Sequence, residues 1–372
     1  MVFSYLLLRI GLIHKNKSSK WLGFLLFLYA MYITPYMLGY ANWYEGGWTR
    51  ETLFFVPFMQ VLLIGPVVYF YLQSLLNESF QISNKDWLHL LPAFLYLGYS
   101  LVVFVTDKLV LEDYYFYADG KDKDLANWYQ ATGVVSMSAY LISSLRLYAN
   151  YKKLLFNKVS FAESLLFKWV RNFMIAFLII LILRVVFFIT NPEWGNFGSQ
   201  FWHYIAFSFV FYYIAVTGYS NAIKQNTLRS EQLKVINIFD SENLNGKNDI
   251  LNSNNELDIS TWKGKLSGAM KDNHLFENPR LTLSDVAEEL ETTAKTVSTA
   301  VNSGFNMNFN DFVNHYRVEA VKNKLENGEQ NTSTLLGIAL DCGFNSKATF
   351  NRAFKKSTSL TPKAYLDEIA KK

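Results

Sequence analysis

Hydrophobic residues follow two different patterns along this chain, and the change falls near residue 220. In the first part, long apolar runs are separated by short polar segments. The runs cover residues 21–40, 53–76, 87–105, 128–148, 165–189 and 201–219. A helix needs roughly 20 apolar residues to cross the hydrocarbon of a bilayer. The pattern therefore predicts an all-α, polytopic membrane helix bundle of six spans, or seven if the short apolar stretch 2–13 also crosses.

Aromatic residues near the ends of these runs support the prediction. Trp21, Trp87, Trp128 and Trp202 each stand at or beside the start of a run. Trp and Tyr rings are enriched at the level of the lipid headgroups. A soluble protein with one large buried helical core is the alternative interpretation, but it requires more polar outward faces than these runs carry.

After residue 220 the apolar residues become sparser. Residues 221–239 carry a partial apolar stripe, which predicts a helical connector; pairing of two copies through this stripe is the alternative. Residues 240–258 are rich in Asn, Asp and Ser, which predicts a flexible linker. We therefore expect a membrane part (1–220), a juxtamembrane helix with a linker (221–258) and a soluble domain (259–372).

The charges of the loops predict an orientation in the membrane. Loops 14–20 and 151–168 are rich in Lys, whereas loop 106–126 carries six acidic residues against three Lys, and loop 190–200 has no Lys or Arg. Positive loops stay in the cytoplasm. Alternation of the spans then places the chain after residue 219 in the cytoplasm as well.

Two short helices joined by a tight turn are predicted after residue 335. An apolar face of the first helix is formed by Leu336, Ile338, Ala339 and Leu340. Gly343 suits the left-handed backbone that ends such a helix. Ser346 is a good N-cap for the second helix, 347–356, in which Phe350 and Phe354 share one face.

The remaining surface of this second helix is basic. Between residues 347 and 363 there is no acidic residue, and the basic ones are Lys347, Arg352, Lys355, Lys356 and Lys363. A cationic helix suits contact with DNA phosphates. By spacing alone, an amphipathic helix pair with a solvated basic face explains the pattern equally well.

This stretch resembles the C-terminal signature of AraC/XylS-type transcription regulators. The matching positions are Ile338-Ala339, Gly343-Phe344, Ser346, Phe350, Arg352, Phe354-Lys355 and Thr361-Pro362. The chain departs from the family at Ser359-Leu360, where the family often has Gly before the Thr-Pro pair. The resemblance implies two helix-turn-helix units whose reading helices enter successive major-groove faces of a promoter. Base or near-base contact is expected from Lys347, Ala348, Asn351 and Arg352, and phosphate contact from Lys355 and Lys356.

A first helix-turn-helix unit is expected upstream, matching the family's order. Ser284 is the expected cap of its first helix, and Thr293 caps a second helix over 294–302. This reading helix is poor in cations, and Thr299 stands where the family often has Arg. We expect Lys295, Thr296 and Thr299 to contribute weaker DNA contacts; a purely structural scaffold is the alternative. Arg317 stands at the family's usual Arg position in the long helix that follows.

Composition and candidate chemistry add little that points to an enzyme. The net charge is only +4, so DNA binding rests on the local basic run. The single Cys342 rules out an intramolecular disulfide and a Cys-type metal site. There is no phosphate-binding Gly-rich loop and no His cluster, so no catalytic residue, metal or cofactor is expected.

Arg184 is the one unusual charge, because it lies inside the apolar run 165–189. A buried Arg there would bind an anionic ligand or an internal carboxylate. The alternative is a side chain that extends to the nearby headgroups.

We therefore predict a membrane-tethered transcription regulator of the cytoplasmic (inner) membrane, which couples an unidentified signal to binding of double-stranded promoter DNA. Its expected partners are the lipid bilayer, RNA polymerase and a second copy of the chain. A transporter or membrane enzyme with a regulatory cytoplasmic domain is the alternative, and it requires polar groups that converge within the membrane. A membrane scaffold that recruits proteins would show no salt-dependent DNA binding.

Overall fold

The structure, a computed structural model of the whole chain, describes residues 1–77, 79–165, 168–190, 200–245 and 258–369. Within these ranges the regular elements are helices and no β-strand forms. The predicted all-α fold class is confirmed.

The chain divides into two compact units. The first consists of Met1–Tyr148 and Phe167–Asn237, and the second of Ala149–Leu166 and Ile238–Lys372. The second unit thus includes a short internal segment that the sequence analysis assigned to the membrane part.

The helices that begin before residue 240 range from four to 45 residues in length, and most of the longer ones are apolar. They are α1 (Val2–Ile13), α2 (Lys17–Tyr40), α3 (Gly47–Phe55), α4 (Val61–Leu76), α5 (Leu91–Phe104), α6 (Asn127–Lys158), α7 (Ala162–Leu165), α8 (Lys168–Thr190) and α9 (Phe201–Asn245). Among the described residues, four helical stretches are long and apolar enough to cross a membrane: Lys17–Tyr40, Leu91–Val110, Lys168–Thr190 and Phe201–Lys224. α1 and α4 are apolar but shorter.

The run 53–76, predicted as one span, is broken between α3 and α4. Val56 has an extended backbone, and Pro57 follows it. A residue that precedes proline is sterically disfavoured in the helical region, so α3 ends at Phe55. The freed amide of Met59 donates a hydrogen bond to the Asp124 carboxylate at 2.8 Å, so the break is stabilised from another segment of the chain.

α9 is longer than its apolar run, as the predicted helical connector requires, and it ends six residues later than predicted. It continues through the predicted connector 221–239 as far as Asn245, so residues 240–245 of the predicted linker are helical. The rest of that linker, 246–257, lies outside the described residues.

The second unit contains the helices α10 (Ile259–Lys271), α11 (Leu283–Glu289), α12 (Ala294–Phe305), α13 (Phe309–Glu326), α14 (Leu335–Asp341), α15 (Lys347–Thr358) and α16 (Pro362–Ile369). Two hydrophobic clusters form around them. The first joins α10, α11 and α12 to the start of α13, through residues such as Phe312, and the second joins α14 and α15 to the end of α13, through residues such as Val321. α13 therefore links two small helical subdomains.

Helix caps in this unit confirm some sequence predictions and correct one. The hydroxyl oxygens of Thr293 and Ser346 accept the expected amide hydrogen bonds at the starts of α12 and α15. The cap of α11 is Thr282 and not Ser284. Thr282 forms a capping box with Asp285, in which each side chain accepts the other residue's backbone N–H. α12 also runs three residues beyond the predicted end, to Phe305.

Candidate nucleic-acid interface

The turn between α14 and α15 depends on Gly343. Its φ angle is +88°, in the left-handed region where glycine is strongly favoured. A Cβ at this position would also collide with the backbone carbonyls of Phe276 and Glu277. The turn is thus packed against another part of the second unit, which fixes where α15 lies.

α14 packs through a different face from the one predicted. Ile338 and Ala339 are buried, but Leu336 and Leu340 are 36% and 47% exposed. Leu335 and Cys342 complete the buried face, which has the spacing i, i+3, i+4, i+7. The predicted face was therefore wrong for Leu336 and Leu340.

α15 is amphipathic as predicted. Phe350 and Phe354 are buried in the second hydrophobic cluster, and Ala353 packs beside them. The residues predicted to contact DNA are all exposed on the remaining surface: Lys347, Ala348, Asn351, Arg352, Lys355 and Lys356. Burial of the two rings therefore holds this set facing outward.

Five of these six residues line one open groove, which we call the α15 groove. It runs between the start of α14, the outer face of α15 and the start of α16, and it is lined by Thr334, Leu335, Leu336, Lys347, Ala348, Phe350, Asn351, Arg352, Lys355, Thr361, Pro362 and Lys363. Four of the lining residues are cationic and none is acidic. This is the charge pattern that a polyanion requires.

Two cations of α15 already have acidic partners. The Lys356 ammonium lies 2.7 Å from a carboxylate oxygen of Asp311 on α13. Lys356 thus differs from the other five predicted residues, because it pairs with Asp311 and does not line the groove. The Arg352 guanidinium forms an ion pair with the carboxylate of Glu163, in the segment after α6.

α12, which was predicted to be the reading helix of the first subdomain, exposes fewer of the predicted polar groups. Val297, Ala300 and Val301 are buried, whereas Lys295 and Thr299 are exposed. The Thr296 hydroxyl is 2.9 Å from that of Thr293, so it takes part in the helix cap. Of the three residues predicted to contact DNA here, Lys295 and Thr299 are therefore the two that are exposed and take no part in the cap.

Arg317 has a structural role, in a buried network of hydrogen bonds, that the sequence alone did not reveal. It is 1% exposed, and it donates hydrogen bonds to the carbonyl oxygens of Phe276 (2.8 Å) and Asn278 (2.7 Å). Burial lowers the pKa of Arg317 to about 10, so the guanidinium remains charged at pH 7. Because Phe276 also contacts the Gly343 turn, Arg317 helps to fix the two subdomains to each other.

Arg184 in the first unit is buried, with only 3% exposed, so its side chain does not extend to the headgroups. Its guanidinium donates a hydrogen bond to Gln130 and lies over the Tyr32 ring at 5.1 Å. Its Nε has no hydrogen-bond partner among the described residues, and no ion pair of those residues involves it. Among all the residues that the structure describes, no cluster of His, Cys, Asp or Glu side chains could hold a metal ion.

Comparison with known proteins identifies the C-terminal end. Residues 286–368, from α11 to α16, match the family model described as a helix-turn-helix domain. No curated protein and no solved structure matches the chain. The match covers the second subdomain, the first subdomain apart from α10 and the start of α11, and all nine residues predicted to contact DNA.

Proposed function

We propose that this chain, which ends in an AraC-type helix-turn-helix domain, is a membrane-tethered transcription regulator that couples a signal at the membrane to promoter binding. The observation that carries the proposal is the α15 groove. It presents four cations and Asn351 on one rigid surface, within a domain that matches a DNA-binding family.

In this proposal α15 enters the major groove of DNA. Arg352 and Asn351 are the residues best suited to read bases, because their side chains can each form two hydrogen bonds with a base edge. Lys347 and Lys355 neutralise phosphates, and Lys363 at the start of α16 extends the same basic surface. α12 contributes orientation through Lys295 and hydroxyl contact through Thr299. RNA polymerase and a second copy of the chain are the protein partners expected at the promoter.

Selection from randomised DNA tests this assignment. The full chain in detergent micelles is used to select duplexes from a randomised pool, and the affinity of the Arg352→Ala variant for the selected duplex is then measured. Loss of a base contact worth about 1–3 kcal/mol should weaken binding roughly 5- to 150-fold. Lys271→Ala, which removes an exposed cation of α10 outside the groove, is the matched control and should have little effect. Equal affinity of the Arg352→Ala variant and the wild type would remove the assignment.

Membrane tethering is supported by the surface of the first unit. Large apolar side chains face outward on three of its span-length helices, among them Leu95 (66% exposed), Ile182 (51%) and Phe209 (74%). Such a surface is unfavourable in water but suits lipid. The Lys-rich loops orient the chain so that its DNA-binding end lies in the cytoplasm, where the DNA is.

Protease treatment of sealed vesicles tests the proposed orientation. Trypsin added to inside-out vesicles of the cytoplasmic membrane should remove the C-terminal domain and leave the helices of the first unit protected. The same protease added to right-side-out vesicles should leave the domain intact. The reverse result would place the domain outside the cell and contradict the proposed function.

The signal, we propose, acts through Arg184. A buried guanidinium with an unsatisfied Nε suits an anionic ligand, since an unpaired buried charge is costly. Arg184→Ala should abolish the response of the genes that the chain occupies in cells, whereas Arg184→Lys, which keeps the charge, should retain part of it. An unchanged response in Arg184→Ala would exclude this role. Uptake of a solute by the first unit would instead favour the transporter alternative.

A further inference from the structure

The segment between α6 and α8 forms part of the DNA-binding unit, although the spans on either side of it belong to the first unit. Residues 149–166 cluster with the C-terminal helices. Within this segment we call residues 159–163 the docked loop. Val159, Ser160 and Ala162 have no exposed surface, and Glu163 is only partly exposed. A loop that belonged to the membrane part alone would have no reason to be buried here.

Backbone groups anchor the docked loop to the first helix-turn-helix subdomain. The Ser160 amide donates a hydrogen bond to the Leu281 carbonyl at 3.0 Å, and Val159 pairs with Thr282 in an isolated antiparallel bridge. The Asn310 side-chain amide donates to the Ser160 carbonyl at 2.7 Å. Both backbone polar groups of Ser160 are therefore satisfied by partners more than 100 residues away in the sequence.

Side-chain contacts extend this anchor to the centre of the domain. A guanidinium nitrogen of Arg317 donates to the Ser160 hydroxyl at 3.0 Å. The side-chain oxygen of Asn314 accepts a hydrogen bond from Arg317. The side-chain N–H of Asn314 donates a second one to the side-chain oxygen of Asn310, at 3.1 Å. The docked loop thus occupies one edge of the polar network that holds the two subdomains together.

Docking places an acidic side chain on the reading helix. Glu163 ends the docked loop, and its carboxylate forms an ion pair with Arg352 of α15. The Glu163 side chain is 14% exposed, whereas that of Arg352 is 55% exposed. Glu163 is therefore held in position by its surroundings, and Arg352 is the more accessible member of the pair.

We infer that the docked loop is an intramolecular partner of the DNA-binding domain and that its Glu163 competes with DNA for Arg352. The inference rests on the proposed function, since it requires that Arg352 contacts DNA. One guanidinium cannot satisfy a carboxylate and a base edge with the same N–H groups. DNA must therefore displace Glu163. Because the chain leads from this segment into the first unit in both directions, a change there can reach the reading helix through the chain itself.

The competition should have a modest size. Ion pairs with a solvent-exposed member are weak, and breaking one should change the affinity for DNA by about two- to fivefold. The loop thus adjusts promoter occupancy and does not block it. This size suits a graded response to a signal.

Binding measurements with the full chain test the inference. The probe is the duplex that the wild-type chain selects from a randomised pool, and the test variant is Glu163→Gln. We expect its Kd to fall about two- to fivefold below that of the wild type. Glu288→Gln is the matched control, because it removes the same charge from an exposed position of α11 in the same unit. If both variants tighten binding equally, the effect is general electrostatics and the inference is overturned, as it is if Glu163→Gln changes nothing.

A double variant separates this inference from the function on which it rests. With Arg352→Ala present, Glu163→Gln should give no further gain in affinity, because the competitor has lost its target. An undiminished gain would show that Glu163 acts elsewhere and would overturn the inference. If the wild type binds its selected duplex but Glu163→Gln binds no more tightly, only the inference fails. If no variant binds any duplex selectively, the proposed function fails and the inference fails with it.

Hydrogen exchange tests the docking itself without DNA. The Ser160 amide should exchange slowly in the full chain, because it is buried and bonded to Leu281. Asn310→Ala removes a bond to the Ser160 carbonyl and should speed this exchange at least severalfold. Exchange of the wild-type amide at the rate of an unstructured chain would show that the loop is not docked and would overturn the inference.

Discussion

Gly343 and Arg317 both contact the backbone near Phe276. Arg317 binds the Phe276 carbonyl, and the absence of a side chain at Gly343 lets the turn approach that same carbonyl closely. The position of the second reading helix thus depends on two residues that are far apart in the sequence. Only one of them, Gly343, was predicted to have a structural role from the local pattern.

The Gly343→Ala variant should destabilise the second unit. An alanine there must adopt φ near +88° and must also displace the Phe276 and Glu277 carbonyls. The backbone strain alone is about 1–2 kcal/mol, and the collision adds to it. Gly328→Ala is the control, because Gly328 has φ +82° but its nearest contact is an Asn331 side-chain atom at 3.5 Å. Thermal unfolding followed by circular dichroism should show a larger loss of stability for Gly343→Ala than for Gly328→Ala. Equal losses would show that the collision with the Phe276 and Glu277 carbonyls adds nothing to the backbone strain.

Cys342 should be nearly unreactive in the folded chain. It is 1% exposed, and burial raises the pKa of its thiol to about 11. Because the folded pKa lies above the unfolded value near 9, Cys342 contributes stability that is fully present below pH 9 and is lost as the pH rises towards 11. Iodoacetamide at pH 8 should label the unfolded chain much faster than the folded one. Equal labelling rates would contradict the burial of this side chain.

Local sequence rules predicted the N-cap residues correctly where a single Ser or Thr was available, and failed where a neighbouring residue was the better cap. Thr293 and Ser346 are caps because a Ser or Thr stands directly before an apolar helical pattern. Ser284 was wrong because Thr282 forms a reciprocal pair with Asp285, which supplies two hydrogen bonds where Ser284 offered one. The hydrogen bond from Arg317 to Ser160 lies beyond any local rule, since 157 positions separate the two residues.

At the scale of elements, α15 is specified by its pattern and α14 only partly. The two Phe residues of α15 leave a single face for the core, so its exposed basic surface follows directly. α14 has apolar residues on more than one face, and the pattern could not show which of them the core would take. Leu336 lies instead in the α15 groove, where an apolar side chain can contact a base or sugar.

Truncation of Phe354 should release α15 from the core. The Phe354 ring is fully buried and contacts the rings of Phe350 and Tyr365. Phe354→Ala should lower the free energy of unfolding of the second unit by about 3–5 kcal/mol, as for other buried rings. Leu336→Ala, at a partly exposed position of α14, should cost less than about 1 kcal/mol. Denaturant unfolding of both variants measures the difference, and similar losses would show that Phe354 is not a core residue.

In the first unit, the sequence predicted which stretches are apolar and helical more accurately than it predicted where each helix begins and ends. The break at Pro57 was overlooked because apolar residues continue across it, and hydropathy does not report the backbone conformation. The last turns of α9, residues 240–245, were assigned to the linker for the converse reason, since a polar helix has no hydropathy signal. Both errors arise because a helix is defined by backbone hydrogen bonds, whereas the prediction relied on side-chain polarity.

At the scale of the whole molecule, the assignment of residues to units was the least predictable feature. Most of the segment 149–166 falls within the Lys-rich stretch 151–168, which was predicted to be a cytoplasmic loop. Its burial in the DNA-binding unit depends on Leu281, Asn310 and Arg317, and no local pattern in the segment points to them. The contribution of an internal segment of the first part to the second unit was therefore not predictable from the sequence.

Cutting the chain between α9 and α10 should change where in the cell DNA is bound but not which sequence is bound. The residues that we propose to read bases all lie in α12 and α15, so cleavage at a protease site inserted within 246–257 leaves them intact. Mapping of occupied sites in cells, before and after cleavage, should give one sequence motif with altered occupancy. A different motif after cleavage would mean that the first unit takes part in sequence recognition.

The length of α9 has a consequence for how DNA can approach a lipid surface. Its 45 residues give a rod of about 68 Å, more than twice the roughly 30 Å of bilayer hydrocarbon. α6, with 32 residues, is also longer than a span requires. The inner leaflet is anionic and repels the equally anionic double helix, but salt screens this repulsion within about 8 Å. In the orientation that we propose, the polar ends of both helices would extend several screening lengths beyond the hydrocarbon, so DNA could be bound without bringing like charges close together.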